Sequence, residues 1–354
     1  MDHTTTVIMQ YISLPRLVND KIQVIISTTT ECNLDCKYCY RKKFNLKTES
    51  INRNTIRSLY SKLKNYNDIT FIWHGGEPLL LGKTFYERTF EDQKTILSQK
   101  IIKNCVQTNA TLLDEEWIEL FQTNDVEMGI SYDGELNEKT RGGTTKVLSA
   151  INLLRTKKIN FGLIHVITKE NVHNLTNDYD IYKKWGAHIT FNFDYLNEKE
   201  IDSYLSNLKL IYTKWIKEEC DSKFVSLENI RNLVYGTNCM CDNNSCLLKF
   251  ISISPQGDLY FCSRLSYKEF CLGNIHDYDN IEDAFLSKNA MEFTKQSIIR
   301  RNTCMSTCDL FHICNGGCNA NSYTTDGVEK INPMYCKYIR KAYEMSQSVM
   351  ENDT

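Results

Sequence analysis

The sequence predicts an α/β protein: a partial (β/α)6 TIM-like barrel followed by a cysteine-rich C-terminal domain. Three observations carry this expectation. Between residues 21 and 198, short β-rich runs alternate with helical patterns at intervals of about thirty residues, the signature of repeated βα units around a parallel sheet. At 354 residues the chain is long enough for one large domain and a smaller one, each with its own core. The cysteines divide the same way, with Cys32, Cys36 and Cys39 together and eleven of the other twelve between Cys220 and Cys336.

Residues 1–20 form an N-terminal segment ahead of the first strand. The strand candidates are IQVIIST from Ile22, ITFIWH from Ile69, NCVQTN from Asn104, VEMGISY from Val126, FGLIHVIT from Phe161 and HITFNF from His188. Between them TIRSLYSKLKNY, EEWIELF, KVLSAINLLRTKK and DYDIYKKW space apolar residues three and four apart, as amphipathic helices covering a sheet do. Six such units leave a barrel incomplete, with its chemistry expected at the C-terminal ends of the strands. Residues 199–236 read as bridging helices without strands. The run GTNCMCDNNSC then marks an abrupt change of composition. It opens a cysteine-rich domain over 237–345, loop-rich with few long periodic elements, where ligated metal supplies stability that a small core does not. Residues 346–354 are a tail.

Composition narrows the function. A formal net charge of -2, with no dense Lys/Arg stripe, gives phosphate backbones nothing to bind, so nucleic acid is not an expected partner. No window approaches the roughly 18 consecutive apolar residues of a membrane span. The start, MDHTTTVIMQYISLPRLVND, lacks the basic and apolar regions of a signal peptide, so the expected location is the cytoplasm. Fifteen cysteines in such a chain read as metal or cluster ligands, because cytosolic thiol buffers keep disulfides reduced.

Cys32-Asn-Leu-Asp-Cys36-Lys-Tyr-Cys39 follows directly on the first strand, which places three thiolates on one loop at the barrel mouth. A four-iron four-sulfur cluster normally takes four cysteines, so three leave one iron open to an external ligand. Zinc with three cysteines and a histidine is the competing reading of such a loop. The CxxxCxxC spacing, with Tyr38 before the third cysteine, resembles the signature loop of the radical S-adenosylmethionine superfamily. The resemblance implies that Cys32, Cys36 and Cys39 hold a 4Fe-4S cluster whose open iron is chelated by S-adenosylmethionine, and that reductive cleavage yields a 5′-deoxyadenosyl radical. His74-Gly75-Gly76-Glu77-Pro78 ends the second strand and resembles the family's GGEP motif, which receives the methionine amino group. Gln107-Thr108-Asn109 and Ser131-Tyr132-Asp133-Gly134 follow the third and fourth strands. By the same resemblance Ser131 and Arg141 contact the ribose or carboxylate of the cofactor, and Leu196 lies near its adenine.

In the C-terminal region Cys246, Gly257 and Cys262 form one unit, and Cys304, Cys308, Cys314, Cys318 and Cys336 another, with CNGGC closing its middle. Together they resemble the SPASM extension of radical enzymes that modify peptides and proteins. The resemblance implies an iron-sulfur domain with two auxiliary 4Fe-4S clusters, three in all. One takes Cys246, Cys262, Cys318 and either Cys239 or Cys241; the other takes Cys304, Cys308, Cys314 and Cys336. Three residues separate Cys304 from Cys308 where the family has two, which a one-residue bulge would absorb. Structural zinc is again the competing reading.

The overall plan is similar to that of the anaerobic sulfatase-maturing enzymes, which oxidise a Cys or Ser to formylglycine. Those enzymes place an Asp, thought to accept the substrate proton, where this chain has Ser263. A hydroxyl is a poor base. The leading expectation is therefore a maturase that forms thioether or carbon-carbon cross-links in a ribosomally made peptide (RiPP), with sulfatase maturation as the alternative. A non-catalytic iron-sulfur carrier or zinc-stabilised interaction protein is the alternative of another class. Ser263 and Cys271 are the candidates to lie near substrate. The expected partners are a leader-bearing peptide or protein and an electron donor such as a flavodoxin or ferredoxin. Only 31 residues precede Cys32, too few for a leader-gripping winged-helix domain, so a separate leader-binding protein is a further expected partner.

Overall fold

The computed structural model describes residues 20–44, 47–193, 196–235, 246–247, 249–323 and 327–350. All six expected strands form: β1 (Lys21–Ser27), β2 (Asp68–His74), β3 (Ile101–Thr108), β4 (Val126–Ser131), β5 (Gly162–Ile167) and β6 (His188–Phe193). They are parallel neighbours in chain order. Burial alternates along each strand because successive side chains point to opposite faces. On β2 the outward set is Ile69, Phe71 and Trp73, fully buried against helices, while Thr70, Ile72 and His74 face the barrel side.

Helices α1 (Arg53–Ser61), α2 (Lys83–Ile96), α3 (Glu115–Thr123), α4 (Thr144–Thr156) and α5 (Leu175–Tyr182) cover the outer face. Asn52 and Asp114 cap the first and third, each accepting a backbone N–H of the first turn. The pattern reading has no helix at α2, and its buried face explains why. Tyr86 and Phe90 share that face with Thr89, Asp92 and Gln93, so polar residues blur the apolar period. Asp92 accepts two hydrogen bonds from Arg53, at 2.6 and 2.9 Å, and one from Arg57. Gln93 and Trp73 both bond to the buried Asn104 of β3.

Two expectations beyond the barrel are corrected. The bridging region, α6 (Glu198–Trp215) and a helix at Val225–Arg231, also contains a two-residue strand, β7 (Lys223–Phe224), which pairs with β6. Two residues are too few to leave a period-two pattern. The cysteine-rich region holds two long helices, α7 (Lys288–Thr307) and α8 (Pro333–Met350). The buried positions of α7 are Ala290, Phe293, Thr294, Ser297, Arg300 and Cys304, a helical face of which half carries no apolar signal.

The same region extends the barrel sheet. Strand β8 (Phe250–Ile253) pairs parallel to β1, and β9 (Asp258–Tyr260) and β10 (Gly273–Asn274) continue antiparallel, giving the order β10-β9-β8-β1-β2-β3-β4-β5-β6-β7. The protein is a mixed α/β fold whose core is a parallel sheet. No helix among the described residues is long and apolar enough to cross a membrane.

Candidate active site

The loop after β1 carries the first three cysteines. The Lys37 amide donates to Thr140 O at 2.9 Å, and the amides of Cys39 and Lys42 donate to Cys36 O and Cys39 O, turning the chain into a short 3-10 helix at Tyr40–Phe44. Cys32 is exposed, Cys36 buried and Cys39 intermediate. Burial pushes the Cys36 thiol up to about 11, and after the opposing Arg141 the next causes are Cys39 and Cys32. Burial also raises Cys32, with Cys39 among the neighbours that add to it. The three sulfurs are therefore electrostatic neighbours. Among the described residues no three His, Cys, Asp or Glu side chains converge as a single ion would require; a cubane's ligands stand at its separate corners.

The end of β2 lies directly against this loop. Gly76 donates to Thr29 O and Glu77 to Glu31 O, both at 2.8 Å. A Cβ on Gly76 would stand 1.8 Å from Glu31 O, and Gly75 has φ +139°, so only glycine fits this approach. The Glu77 side chain is fully buried and is used to hold the next strand end. It accepts from the Thr108 hydroxyl at 2.6 Å, the Asn109 amide at 2.8 Å and the Leu79 amide at 3.0 Å. Burial raises its pKa and these three donors oppose the rise. Asn109 in turn donates to Asn33 Oδ1 at 2.9 Å and approaches Cys32 Sγ at 3.8 Å.

The strand ends further round supply the remaining contacts. Gln107 donates to Ser131 Oγ at 2.9 Å. Tyr38 donates to Asp133 Oδ2 at 2.8 Å and accepts from Arg141 Nη1 at 2.6 Å, while Thr140 and the Val166 amide also donate to Asp133. Gly134 packs on Asp178, which a Cβ would strike at 2.0 Å. Arg141 keeps a buried Nε without a partner among the described residues. Leu196 is buried beyond the end of β6. Close glycine backbone and an orphaned guanidinium nitrogen beside three thiols fit a ligand that has both an amino and a carboxylate group.

The C-terminal cysteines gather in two places. One cavity of about 180 Å³ is lined by Cys304, Cys308, Cys314, Cys318, Cys336 and Arg340 among others. The three residues between Cys304 and Cys308 finish the last turn of α7: Cys304 lies in that turn and Cys308, in extended conformation, caps it, its amide donating to Cys304 O at 2.9 Å. Burial raises Cys314 to about 12, with Cys336 the next cause. Burial likewise raises Cys262, followed by Cys318. Between the two places lies Arg300, fully buried, with Cys318, Cys304, Cys314 and Cys246 as its charged neighbours. Cys239 and Cys241 lie outside the described residues.

Ser263 opens the turn after Cys262 and stands beside the side chain of Tyr40, next to Cys39. Cys271 is half-buried; its thiol meets Gly273 O at 3.8 Å and the Tyr260 side chain, and its carbonyl accepts from Asn289 Nδ2 of α7 at 2.7 Å. Nothing in the sequence marks Tyr40, Arg41, Asp133 or Arg300 for a role. The hydroxyl, carboxylate and guanidinium groups that matter there belong to residue types common on any surface, and only their burial distinguishes them.

Comparison with known proteins agrees with this geometry. The Radical SAM superfamily profile matches residues 26–209. A serine-type anaerobic sulfatase-maturating enzyme of Bacteroides thetaiotaomicron is 26% identical, over 88% of this chain and 85% of the relative. A cysteine-type anaerobic sulfatase-maturating enzyme of Clostridium perfringens is 26% identical, over 91% of this chain and 95% of the relative. The solved structure of native anSMEcpe with bound AdoMet and Cp18Cys peptide superposes with a TM-score of 0.81 at 24% identity, covering 94% of this chain and 98% of that one.

Proposed function

We propose, from the premise that this chain belongs to the radical S-adenosylmethionine superfamily, that it oxidises a side chain of a peptide or protein substrate in the manner of the sulfatase-maturating enzymes, giving formylglycine. This reading replaces the expectation of a cross-linking peptide maturase as the first choice. The similarity to serine-type and cysteine-type sulfatase-maturating enzymes runs over most of both chains, and it supports the alternative better. A catalytic family also sets aside the non-catalytic carrier.

The observation that carries the proposal is the packing of the turn after Cys39 on the segment after Cys262: the rings of Phe44 and Tyr267 meet edge to face at 4.7 Å, and Tyr40 stands beside Ser263. It seats the β8–β10 segment, with Cys262, against the loop that carries Cys39. Oxidation of a substrate radical needs an electron acceptor close to where the radical forms, and Cys262 would hold a cluster on that side of the barrel mouth.

In this reading Cys32, Cys36 and Cys39 hold the first 4Fe-4S cluster. S-adenosylmethionine, when held beside that cluster, would supply the radical chemistry for removing a hydrogen atom. Gly75 and Gly76 bring backbone to its amino group, Glu77 fixes the strand end behind them, and Ser131, Arg141, Leu196 and Tyr38 line the rest of its site. Cys304, Cys308, Cys314 and Cys336 hold one auxiliary cluster; Cys246, Cys262, Cys318 and one of Cys239 and Cys241 hold the other. A reduced flavodoxin or ferredoxin in the cytoplasm supplies electrons.

Anaerobic incubation with a sulfatase-motif peptide, S-adenosylmethionine and reductant, followed by a carbonyl-reactive probe, tests the proposal. Aldehyde in the peptide is the expected result. The second reading, RiPP cross-linking, is favoured by Ser263, which gives no carboxylate where the sulfatase-maturing family has one. Cleavage of S-adenosylmethionine with no aldehyde, together with a cross-linked product from a small peptide encoded beside the gene, would establish it instead.

A further inference from the structure

The mouth of the barrel on the β1 side holds a polar group that neither the cluster ligands nor the cofactor contacts use. Ser27 and His74 are register partners at the C-terminal ends of β1 and β2. Arg41, two residues beyond Cys39, reaches over them and donates Nη1 to Ser27 Oγ at 3.0 Å. Its Nε is buried and has no hydrogen-bond partner among the described residues, and no carboxylate is paired with it there. His74 accepts the Gly75 amide on Nδ1 at 2.7 Å, which puts the ring proton of the neutral form on Nε2. Burial first, and Arg41 second, hold this ring's pKa down to about 4, so it stays neutral. Arg41 is therefore a permanent cation with spare donors. Beside it stand a neutral N–H donor and, across Tyr40, the hydroxyl of Ser263.

The proposed cofactor contacts start at Gly75 and run round the strand ends through Ser131 to Leu196. Ser27 and Arg41, with the Ser263 turn, lie on the other side of β2, over β1 and the added β8–β10 edge. A substrate side chain held between the proposed cofactor site and Cys262 would project towards these groups. Among the described residues the site offers it positive charge and donors but no carboxylate.

We infer that Arg41, with His74 and Ser27, binds the substrate side chain as an anion, and that this chain acts on a cysteine thiolate rather than on a serine hydroxyl. The inference rests on the proposed oxidation and names its substrate class. Binding breaks the S–H bond: the proton goes to solvent and the electron pair stays on sulfur beside the guanidinium. A free cysteine has a pKa of about 8.5 and is lowered readily next to arginine. Loss of one hydrogen atom from Cβ and one electron to an iron-sulfur acceptor then leaves a neutral carbon-sulfur double bond, with no proton left for Ser263 to accept. A serine hydroxyl is far less acidic and keeps its proton on binding, so the same step demands a base, and among the described residues the site offers no carboxylate to serve as one.

The test is anaerobic titration calorimetry of the S-adenosylmethionine-loaded, unreduced enzyme with Cys-, Ser- and Ala-bearing versions of one sulfatase-motif peptide. Two buffers of different ionisation heat count the protons released. At pH 7 a free thiol is only about 3% ionised, so the Cys peptide should release close to one proton per binding event and the Ser and Ala peptides none. Arg41→Met should abolish the release while S-adenosylmethionine binds unchanged, and Arg41→Lys should keep part of it. Equal proton counts for Cys and Ser peptides overturn the inference, as does loss of S-adenosylmethionine binding in Arg41→Met, which would give Arg41 to the cofactor. If Arg41→Met does not fold, the wild-type Cys-against-Ser comparison decides alone. Aldehyde from both peptides at similar rates also overturns it. Proton release without aldehyde from either peptide refutes the oxidation and leaves the anion site standing.

Discussion

Asp178 and His165 face one another in the layer between sheet and helices, both fully buried, with Nδ1 and Oδ2 3.9 Å apart. Asp178 Oδ1 accepts the Glu135 amide at 2.9 Å and Oδ2 has no partner among the described residues. Burial pushes this carboxyl up to about 7 and the imidazole down to about 4, so between about pH 5 and 6 the pair is largely uncharged and at pH 7 the carboxyl is half ionised. Their contributions to stability have opposite signs. The folded protein holds a proton on Asp178 that the unfolded chain has lost, so that contribution is complete below pH 4 and fades as pH rises through 7. His165 stays neutral in the folded protein, so its contribution is complete above 6.5 and fades as pH falls towards 4. Between these limits the two slopes cancel. Asp178→Asn should remove one of them: its stability relative to the wild type should grow from pH 6 to 7, by up to tenfold in the folding constant, and level off above pH 7. Melting temperatures of both proteins across pH 6 to 8 check this, and a constant difference would show Asp178 ionised in the fold.

Helix α7 joins the two sets of C-terminal cysteines through Arg300. Its donors all go to neutral oxygens: Gly316 O at 2.8 Å, Gly317 O at 3.3 Å, Asn319 Oδ1 at 2.6 Å and Val328 O. A buried cation without a carboxylate is costly, and the nearest opposite charges here are cysteine sulfurs. Thiolates held by iron would supply the balance. Gly316 and Gly317 lie between Cys314 and Cys318, so the guanidinium fixes the bend that brings both cysteines to the C-terminal cavity. Arg300→Met should leave three backbone carbonyls unpaired, cost roughly 3 kcal/mol or more, and lower the iron held per chain towards the barrel cluster alone. Arg300→Lys retains the charge but not the fork and should fall between. Iron and sulfide analysis with a thermal melt checks both; unchanged iron in Arg300→Met refutes the role of this helix as the link.

At the scale of the whole molecule, the barrel contributes a parallel sheet with three cysteines at its mouth, and the C-terminal region adds strands to the same sheet. Three complete four-iron clusters imply about twelve irons per chain after anaerobic purification. Replacing Cys32, Cys36 and Cys39 together with Ala should remove about four of them and abolish cleavage of S-adenosylmethionine. The auxiliary sites and the melting temperature should be little affected, because the β1–β2 core does not depend on that loop. Release of 5′-deoxyadenosine by the triple variant would sink the barrel assignment.

The sequence by itself determined the six strands, because each must show apolar side chains to the helices at every second residue, and burial follows that period from Ile22 to Phe191. It also determined the three-cysteine loop and the HGGEP turn, where chemistry and close approach permit few residue types. Helices α2 and α7 escaped notice because Asp92, Gln93, Ser297 and Arg300 occupy core-facing positions, and buried polar residues carry no apolar period. What only the tertiary structure decided is non-local. Pairing of β8 with β1 spans more than two hundred residues, and nothing in either segment announces its partner. That pairing brings Ser263 to Tyr40. The register of β1 on β2 sets Ser27 beside His74, and the turn after Cys39 lays Arg41 over them. Each is an ordinary residue in the chain, and becomes a candidate site only because burial removes the water that would otherwise satisfy it.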